Sequence, residues 1–174
     1  HTRYIGDWSS DVCSSDLFGG AAIASFNMFK SISSKKYKLE LNCITKKTND
    51  KRVKKINITI ISYLKIFVSI LLSQLLFLIF NTKNKIKRSM CLIDTGLLNR
   101  IKLTDVDIVH VHWFYNEVVS LNEILNIKKK LVISLHDLWF CNGTFHYDPG
   151  KINIFSRFFE EYLLKRKCQK ILQR

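Results

Sequence analysis

Three histidines and an aspartate stand where two apolar segments of the chain turn polar. His110 and His112 fall near the end of one segment, and His136 and Asp137 close the other. Imidazole can carry a proton, hydrogen-bond a substrate or bind a metal, and a carboxylate can assist in each. Two residues apart on a strand, His110 and His112 point the same way. That arrangement suits either a metal pair or one core histidine beside one site histidine.

The neighbouring groups each have a functional and a structural interpretation. His136 ends a predicted strand and begins a loop, which suits a substrate site or a capping role. Asp137 can contact substrate or cap the turn that follows it. Trp113 and Trp139 can stack on a sugar or a base, or pack in the core. The turn-rich loop 141–147 can cover such a site.

An alternating order of helices and strands must position these residues. Apolar spacings of three and four predict helices, and alternating or β-branched runs predict strands. Two strong strands separated by a helix indicate a βαβ unit, so we expect an α/β fold with a Rossmann-like parallel sheet and flanking helices. The predicted helices lie in 18–32, 58–80, 89–103, 122–127 and 154–172, the strands are 37–45, 106–113 and 130–137, and 46–55 is a basic loop.

Two glycines add a second candidate binding feature. Gly19 and Gly20 come directly before the first predicted helix. Glycines let a backbone approach a ligand closely, and the unpaired N–H groups of a helix N-terminus favour an anion such as phosphate. A plain loop is the structural alternative.

Each of the two strong predicted strands ends in a polar pair, His110 and His112 in one and His136 and Asp137 in the other. The carboxyl ends of parallel strands form the edge where ligands bind in open sheets.

The segment Ile58–Phe80 is the most apolar part of the chain and is long enough to span a bilayer. Its polar residues Ser62, Lys65, Ser69 and Ser73 fall three or four apart and form one narrow stripe. Such a stripe suits a helix that is buried on most sides, or one that lies in a membrane interface, rather than a spanning helix. The basic cluster 83–88 can reach anionic headgroups or form a solvated turn.

Composition limits the class of protein. The 174 residues include 28 Lys and Arg against 14 Asp and Glu, a net charge of +14, and 47% are hydrophobic. That apolar content excludes a disordered tail. Five cysteines without paired spacing indicate reduced thiols in a cytoplasmic protein. The bases show no strip of interleaved aromatics, so we expect no nucleic-acid partner.

The first seventeen residues have neither helical nor alternating apolar spacing. Residues 7–17 resemble the translation of a sequencing-library adapter, and the alternative is a genuine Ser/Asp-rich loop. We therefore expect residues 1–17 to be a non-native segment that lies outside the fold and carries no function. Residues 18–174 are then one incomplete Rossmann-like domain.

Two blocks of the chain resemble bacterial glycosyltransferases of family 4, most closely the colanic-acid and capsular polysaccharide branch. The first block is Gly19-Gly20-Ala21-Ala22, which matches a Gly-rich opening after the first strand. The second block joins Asp107-Ile-Val-His-Val-His-Trp113 to Leu135-His-Asp-Leu-Trp139, with Gly143 and His146-Tyr147 downstream. Where the family often has Gly-Gly-Cys before its His-Tyr pair, this chain has Gly143-Thr144-Phe145.

This resemblance implies the N-terminal, acceptor-side half of a two-domain glycosyltransferase-B fold, with the C-terminal donor domain absent. It implies transfer of a sugar from a nucleotide-sugar donor to a lipid-linked or glycan acceptor, with retention of configuration and no metal or other cofactor. Gly19 and Gly20 would lie under the donor diphosphate and His136 would act on the transferred sugar or acceptor hydroxyl, with His112, Trp113 and Asp137 binding substrate. We expect the fragment to be inactive alone and peripheral on the cytoplasmic face of the membrane.

Two other functions start from different residues. A metal-dependent hydrolase would use His110, His112, His136 and Asp137 as ligands. A non-catalytic membrane-anchored protein would use residues 58–80 as its span.

Overall fold

The computed structural model describes residues 8–32, 37–79, 89–101, 103, 105–112, 117–140 and 166–173. The chain forms two compact units, each made of separate stretches of sequence. The first unit comprises His1–Ile58, Leu97–Phe114 and Ile127–His136, and the second comprises Thr59–Gly96, Tyr115–Asn126 and Asp137–Arg174.

The first unit is built on a five-stranded parallel sheet, which confirms the predicted α/β fold. The strand order is β3-β2-β1-β4-β5, and every neighbouring pair is parallel. The predicted strands at 37–45, 106–113 and 130–137 correspond to β2, β4 and β5. Their bounds are Trp8–Ser15 for β1, Lys38–Thr45 for β2, Val53–Lys55 for β3, Ile108–Val111 for β4 and Lys130–Ile133 for β5.

The expectation that residues 1–17 lie outside the fold is wrong for β1. This strand occupies the centre of the sheet and pairs with both β2 and β4. Ser10 and Asp11 are 1% and 2% exposed, although neither side chain is apolar. Backbone hydrogen bonds of a ladder do not depend on side-chain type, which is why a polar run can occupy a strand position. That the run is non-native remains a prediction.

Helix α1, Gly20–Ser31, packs against β1 and β2 as its apolar spacing predicts. Its Phe26 and Phe29 are buried, whereas Ile23 and Met28 are exposed. Leu41 of β2 alternates with polar neighbours along the strand, so one face of β2 meets α1. The resulting core cluster contains Cys13, Phe26, Phe29, Leu39, Leu41, Cys43 and Val53.

The predicted basic loop 46–55 is wrong at its end, where Val53–Lys55 forms the edge strand β3. Val53 is 1% exposed and fills the core cluster, and Lys54 and Lys55 are exposed. A three-residue strand with two lysines is too short and polar to show the alternation that identifies a strand. The predicted helix in 89–103 is reduced to one turn of 3-10 helix, Leu98–Arg100.

Within the described residues, the second unit contains three helices. They are α2, Ile60–Ile79; α3, Leu121–Leu125; and α4, Arg166–Leu172, which contacts α3. All three fall inside predicted helices or overlap them, and the predicted residues 154–165 lie outside the described part of the chain. Helix α3 begins with a capping box, in which the Ser120 hydroxyl accepts from the Glu123 N–H while the Glu123 carboxylate accepts from the Ser120 N–H.

Candidate functional site

The candidate site lies at the carboxyl edge of the sheet, where the chain changes direction across it. From β1 the chain proceeds outward through β2 and β3, and it then returns to β4 and β5 on the other side of β1. The carboxyl ends of β1 and β4 therefore form the topological switch point, where open α/β sheets bind ligands. Gly19 follows β1, His112 follows β4 and His136 follows β5.

Two histidines of this edge contact each other. His112 Nδ1 lies 3.4 Å from His136 Nε2, and the ring centroids are 5.7 Å apart. His112 is 3% exposed, whereas His136 is exposed. The buried ring thus orients a solvent-facing imidazole that can donate or accept a hydrogen bond. Which nitrogen carries the proton follows from the neighbours and is not fixed by these two rings alone.

The His112 imidazole is neutral at physiological pH. Burial, together with smaller contributions from the adjacent His110 and His136, lowers its pKa to about 3. The His110 and His112 rings are 4.0 Å apart between centroids, which confirms that the two side chains share one side of β4. A neutral imidazole is a hydrogen-bond partner or a metal ligand, but not a fixed positive charge for a phosphate.

Asp11, His110 and Ser134 form a line across three adjacent strands. His110 Nδ1 lies 3.1 Å from Asp11 Oδ1, and His110 Nε2 lies 2.8 Å from Ser134 Oγ. The order carboxylate, imidazole, hydroxyl is that of a serine nucleophile and its base. His110 is only 5% exposed, so we interpret this line as a buried network that joins β1, β4 and β5.

A cation could bind between Asp11, His110 and His112. One ligand atom each from Asp11, His110 and His112 lies within 4.8 Å of the other two, and all three side chains are buried. The 3.1 Å contact of Asp11 Oδ1 with His110 Nδ1 lacks hydrogen-bond geometry, and neither Asp11 Oδ1 nor His112 Nε2, 3.9 Å from it, makes a hydrogen bond in the part of the chain that the structure describes. Orphaned buried acceptors that converge in this way fit the nitrogen and oxygen donor set of Zn²⁺ or Mn²⁺.

The glycines form the N-terminus of α1. Gly19 is the N-cap residue, with φ 88° and ψ 159°, a conformation essentially restricted to glycine, and no side chain caps the helix. A Cβ atom added at Gly19 or Gly20 would meet no atom within 4 Å, so the backbone borders open space. Lys47 places its ammonium 5.1 Å from the centroid of the Phe18 ring, and the first turn carries no acidic residue. This end of the helix is therefore electropositive.

Asp16 holds the loop beneath that helix end in place. Its carboxylate accepts hydrogen bonds of 2.8–3.0 Å from the backbone N–H groups of Lys47 and Thr48. Burial acts to raise the pKa of Asp16, but these N–H donors outweigh burial and the pKa lies below its usual value. The side chain joins the turn after β1 to the turn after β2.

Asp137 and Trp139, the other predicted residues that the structure describes in this region, make the following contacts. Asp137 belongs to the second unit, where its Oδ1 accepts from the Trp139 N–H at 2.9 Å in the manner of a local cap. Trp139 is 7% exposed, and its indole N–H donates to the Ser89 carbonyl at 2.7 Å. Trp113 and the loop 141–147 lie outside the described residues.

Sequence reasoning missed Asp11, Asp16 and Ser134. The two aspartates belong to the run that was excluded from the fold, so no pattern connected them to the histidines. Ser134 could have been found from spacing, since it precedes His136 by two residues and a spacing of two predicts side chains on one face of a strand; its Oγ lies 2.8 Å from His110 Nε2. No family model, curated protein or solved structure matches the chain.

Proposed function

We propose that the chain is the acceptor-side half of a sugar-nucleotide-dependent glycosyltransferase of bacterial surface polysaccharide synthesis. The observation that carries the proposal is that two suitable binding groups lie at the same edge of the sheet. The N-terminus of α1, at Gly19 and Gly20, follows β1 and has no side-chain cap. The exposed imidazole of His136 follows β5, on the other side of the switch point. A diphosphate suits the first group and a sugar hydroxyl suits the second.

In this proposal each residue has a distinct role. The N–H groups after Gly19 stabilise the negative charge of the leaving diphosphate without a metal ion. His136 hydrogen-bonds the transferred sugar or the acceptor hydroxyl, and His112 orients its ring. Retention of configuration, a lipid-linked or glycan acceptor and a place on the cytoplasmic face of the membrane all belong to the proposal, and the resemblance to family 4 enzymes supports them.

Ligand-induced thermal stabilisation tests the proposal on the chain itself. Nucleotide sugars and a polyprenyl-phosphate glycan are added at up to ten times their dissociation constants, where a specific ligand stabilises by about 1.4 kcal/mol. Gly20→Val fills the open space beside the helix end and should abolish the response to the nucleotide sugar, and His136→Ala should weaken the response to the sugar. Ile23→Gln on the exposed side of α1 is the matched control and should respond like the wild type. Absence of a response both to every nucleotide sugar and to the polyprenyl-phosphate glycan contradicts the proposal.

A metal-dependent hydrolase is the second candidate, and the convergence of Asp11, His110 and His112 favours it. His136 and Asp137, the other two ligands that this function predicted, are not among the three residues of that cluster. All three ligands are at most 5% exposed, which suits a closed structural cation site better than a catalytic one that keeps a coordination position open to water. Stoichiometric zinc or manganese after purification, lost in His112→Ala, would favour this function over the first.

A further inference from the structure

Helix α2 presents its apolar side chains to solvent. Ten of its large hydrophobic residues are 44–87% exposed, more than all the other described elements contribute together. The exposed apolar side chains form one patch along a helix of twenty residues, which is about 30 Å long. On a typical monomer the largest apolar patch covers about 300–600 Å². The exposed residues are Ile60, Ile61, Tyr63, Leu64, Phe67, Val68, Leu71, Leu75, Leu78 and Ile79.

The opposite face of α2 carries a stripe of serines, two of which are hydrogen-bonded to other parts of the second unit. Ser62 donates to the Thr95 carbonyl at 2.8 Å, and Ser69, two turns further on, donates to the Glu117 carboxylate at 3.0 Å. Ser62 and Ser69 are the buried residues of this helix, at 2% and 1% exposure. An ordinary surface helix has the reverse arrangement, with its apolar stripe on the core. The hydrogen bonds therefore hold the apolar face outward.

These same contacts argue against a spanning helix. By length and composition α2 could cross a membrane: its mean hydropathy is 2.0, and only 11% of the residues in its most apolar stretch are buried. Ser69 lies at the middle of the helix, however, and binds a carboxylate that also accepts the backbone N–H groups of Met90 and Cys91 at 2.6 Å. Spanning would carry this carboxylate and irregular backbone to the bilayer centre, where both are strongly disfavoured.

We propose that α2 lies in the plane of an anionic lipid surface, with its apolar face inserted and its serine stripe toward the protein. Lys65 is exposed at one border of the apolar face, where an ammonium can reach a headgroup. The chain carries a net charge of +14, which attracts an anionic surface and repels a second copy of the same chain. The proposal does not rest on the transferase activity and stands or falls separately from it.

Vesicle partitioning tests this orientation. The full chain is sedimented with vesicles of phosphatidylcholine alone and with vesicles that contain about 30% phosphatidylglycerol. We expect at least tenfold stronger partitioning on the anionic vesicles at low salt, weakened at high salt because the charges are screened. The triple variant Leu64→Gln, Leu71→Gln, Leu75→Gln should lose at least tenfold on both vesicle types. Lys65→Glu should lose about fivefold on the anionic vesicles only.

A matched control separates insertion from general stickiness. Ile23→Gln with Met28→Gln removes exposed apolar residues from another helix and should leave partitioning within twofold of the wild type. Circular dichroism and the urea midpoint confirm that each variant is folded. The proposal is overturned if the triple variant partitions like the wild type, or if the control loses as much. It is overturned equally if the wild type resists extraction by carbonate at about pH 11, or forms a dimer that the triple variant disperses.

Discussion

The buried imidazole of His112 should make the stability of this protein fall steeply in mild acid. Its folded pKa is about 3 because of burial and the neighbouring His110 and His136, whereas an unfolded imidazole titrates near 6.5. Above pH 6.5 His112 is neutral in both the folded and the unfolded state, so its contribution to the free energy of unfolding is constant. Between those two values only the unfolded chain takes the proton, so stability falls by about 1.4 kcal/mol per pH unit. From pH 6.5 to 5.0 the loss is about 2 kcal/mol.

Urea unfolding at pH 7.0, 6.0 and 5.0 measures this slope. In His112→Gln the proton difference is gone, and the decline between pH 7.0 and 5.0 should shrink by about 2 kcal/mol. His136→Gln is the control, since His136 is exposed and its removal leaves His112 buried. The control should retain the slope of the wild type. If His112→Gln and the wild type decline in parallel, burial of a neutral His112 is the wrong account of this site.

Three further predictions test separate parts of the fold by the shift of the urea midpoint. Glu117→Gln should cost about 2–4 kcal/mol, because a charged acceptor of two buried backbone N–H groups is lost; a cost below about 1 kcal/mol would contradict this. Gly19→Ala should cost about 1–3 kcal/mol for its φ of 88°, while Gly20→Ala should be neutral or stabilising; equal effects would refute the argument. Asp16→Asn should cost about 1.5–3 kcal/mol at pH 7; because the folded pKa is lowered, the difference should persist down to about pH 4 and be lost as pH falls further, through the folded pKa.

The parts of the fold that sequence could predict are those in which side-chain pattern and burial agree. The β4 and β5 strands are apolar runs that end in polar residues, and their order with the helix between them required parallel pairing. Helix α1 buries Phe26 and Phe29, as its three-and-four spacing demands. His112 and His136 meet because the carboxyl ends of adjacent parallel strands lie at one edge.

Other parts depend on contacts between residues far apart in the sequence. Ser69 and Glu117 are 48 residues apart, and no local pattern connects them. The apolar spacing of α2 predicted a helix but not which side would face the protein. That side is decided by two serine hydroxyls that find buried acceptors, since a buried hydroxyl must be hydrogen-bonded whereas an exposed leucine needs no partner.

The centre of the sheet separates the two candidate functions. Parallel strands in the middle of a sheet are ordinarily apolar on both faces, yet β1 buries Asp11, whose Oδ1 lies 3.1 Å from His110 Nδ1. The phosphate site needs only the backbone of β1 and the turn into Gly19, whereas the cation site needs the Asp11 side chain itself. Asp11→Val should lower stability by about 1–3 kcal/mol, since it leaves the buried His110 Nδ1 without its carboxylate partner. It should leave the response to nucleotide sugars intact and abolish any response to zinc. Loss of the nucleotide-sugar response in a folded Asp11→Val variant would mean that the carboxylate, and not the helix end, is the centre of the site.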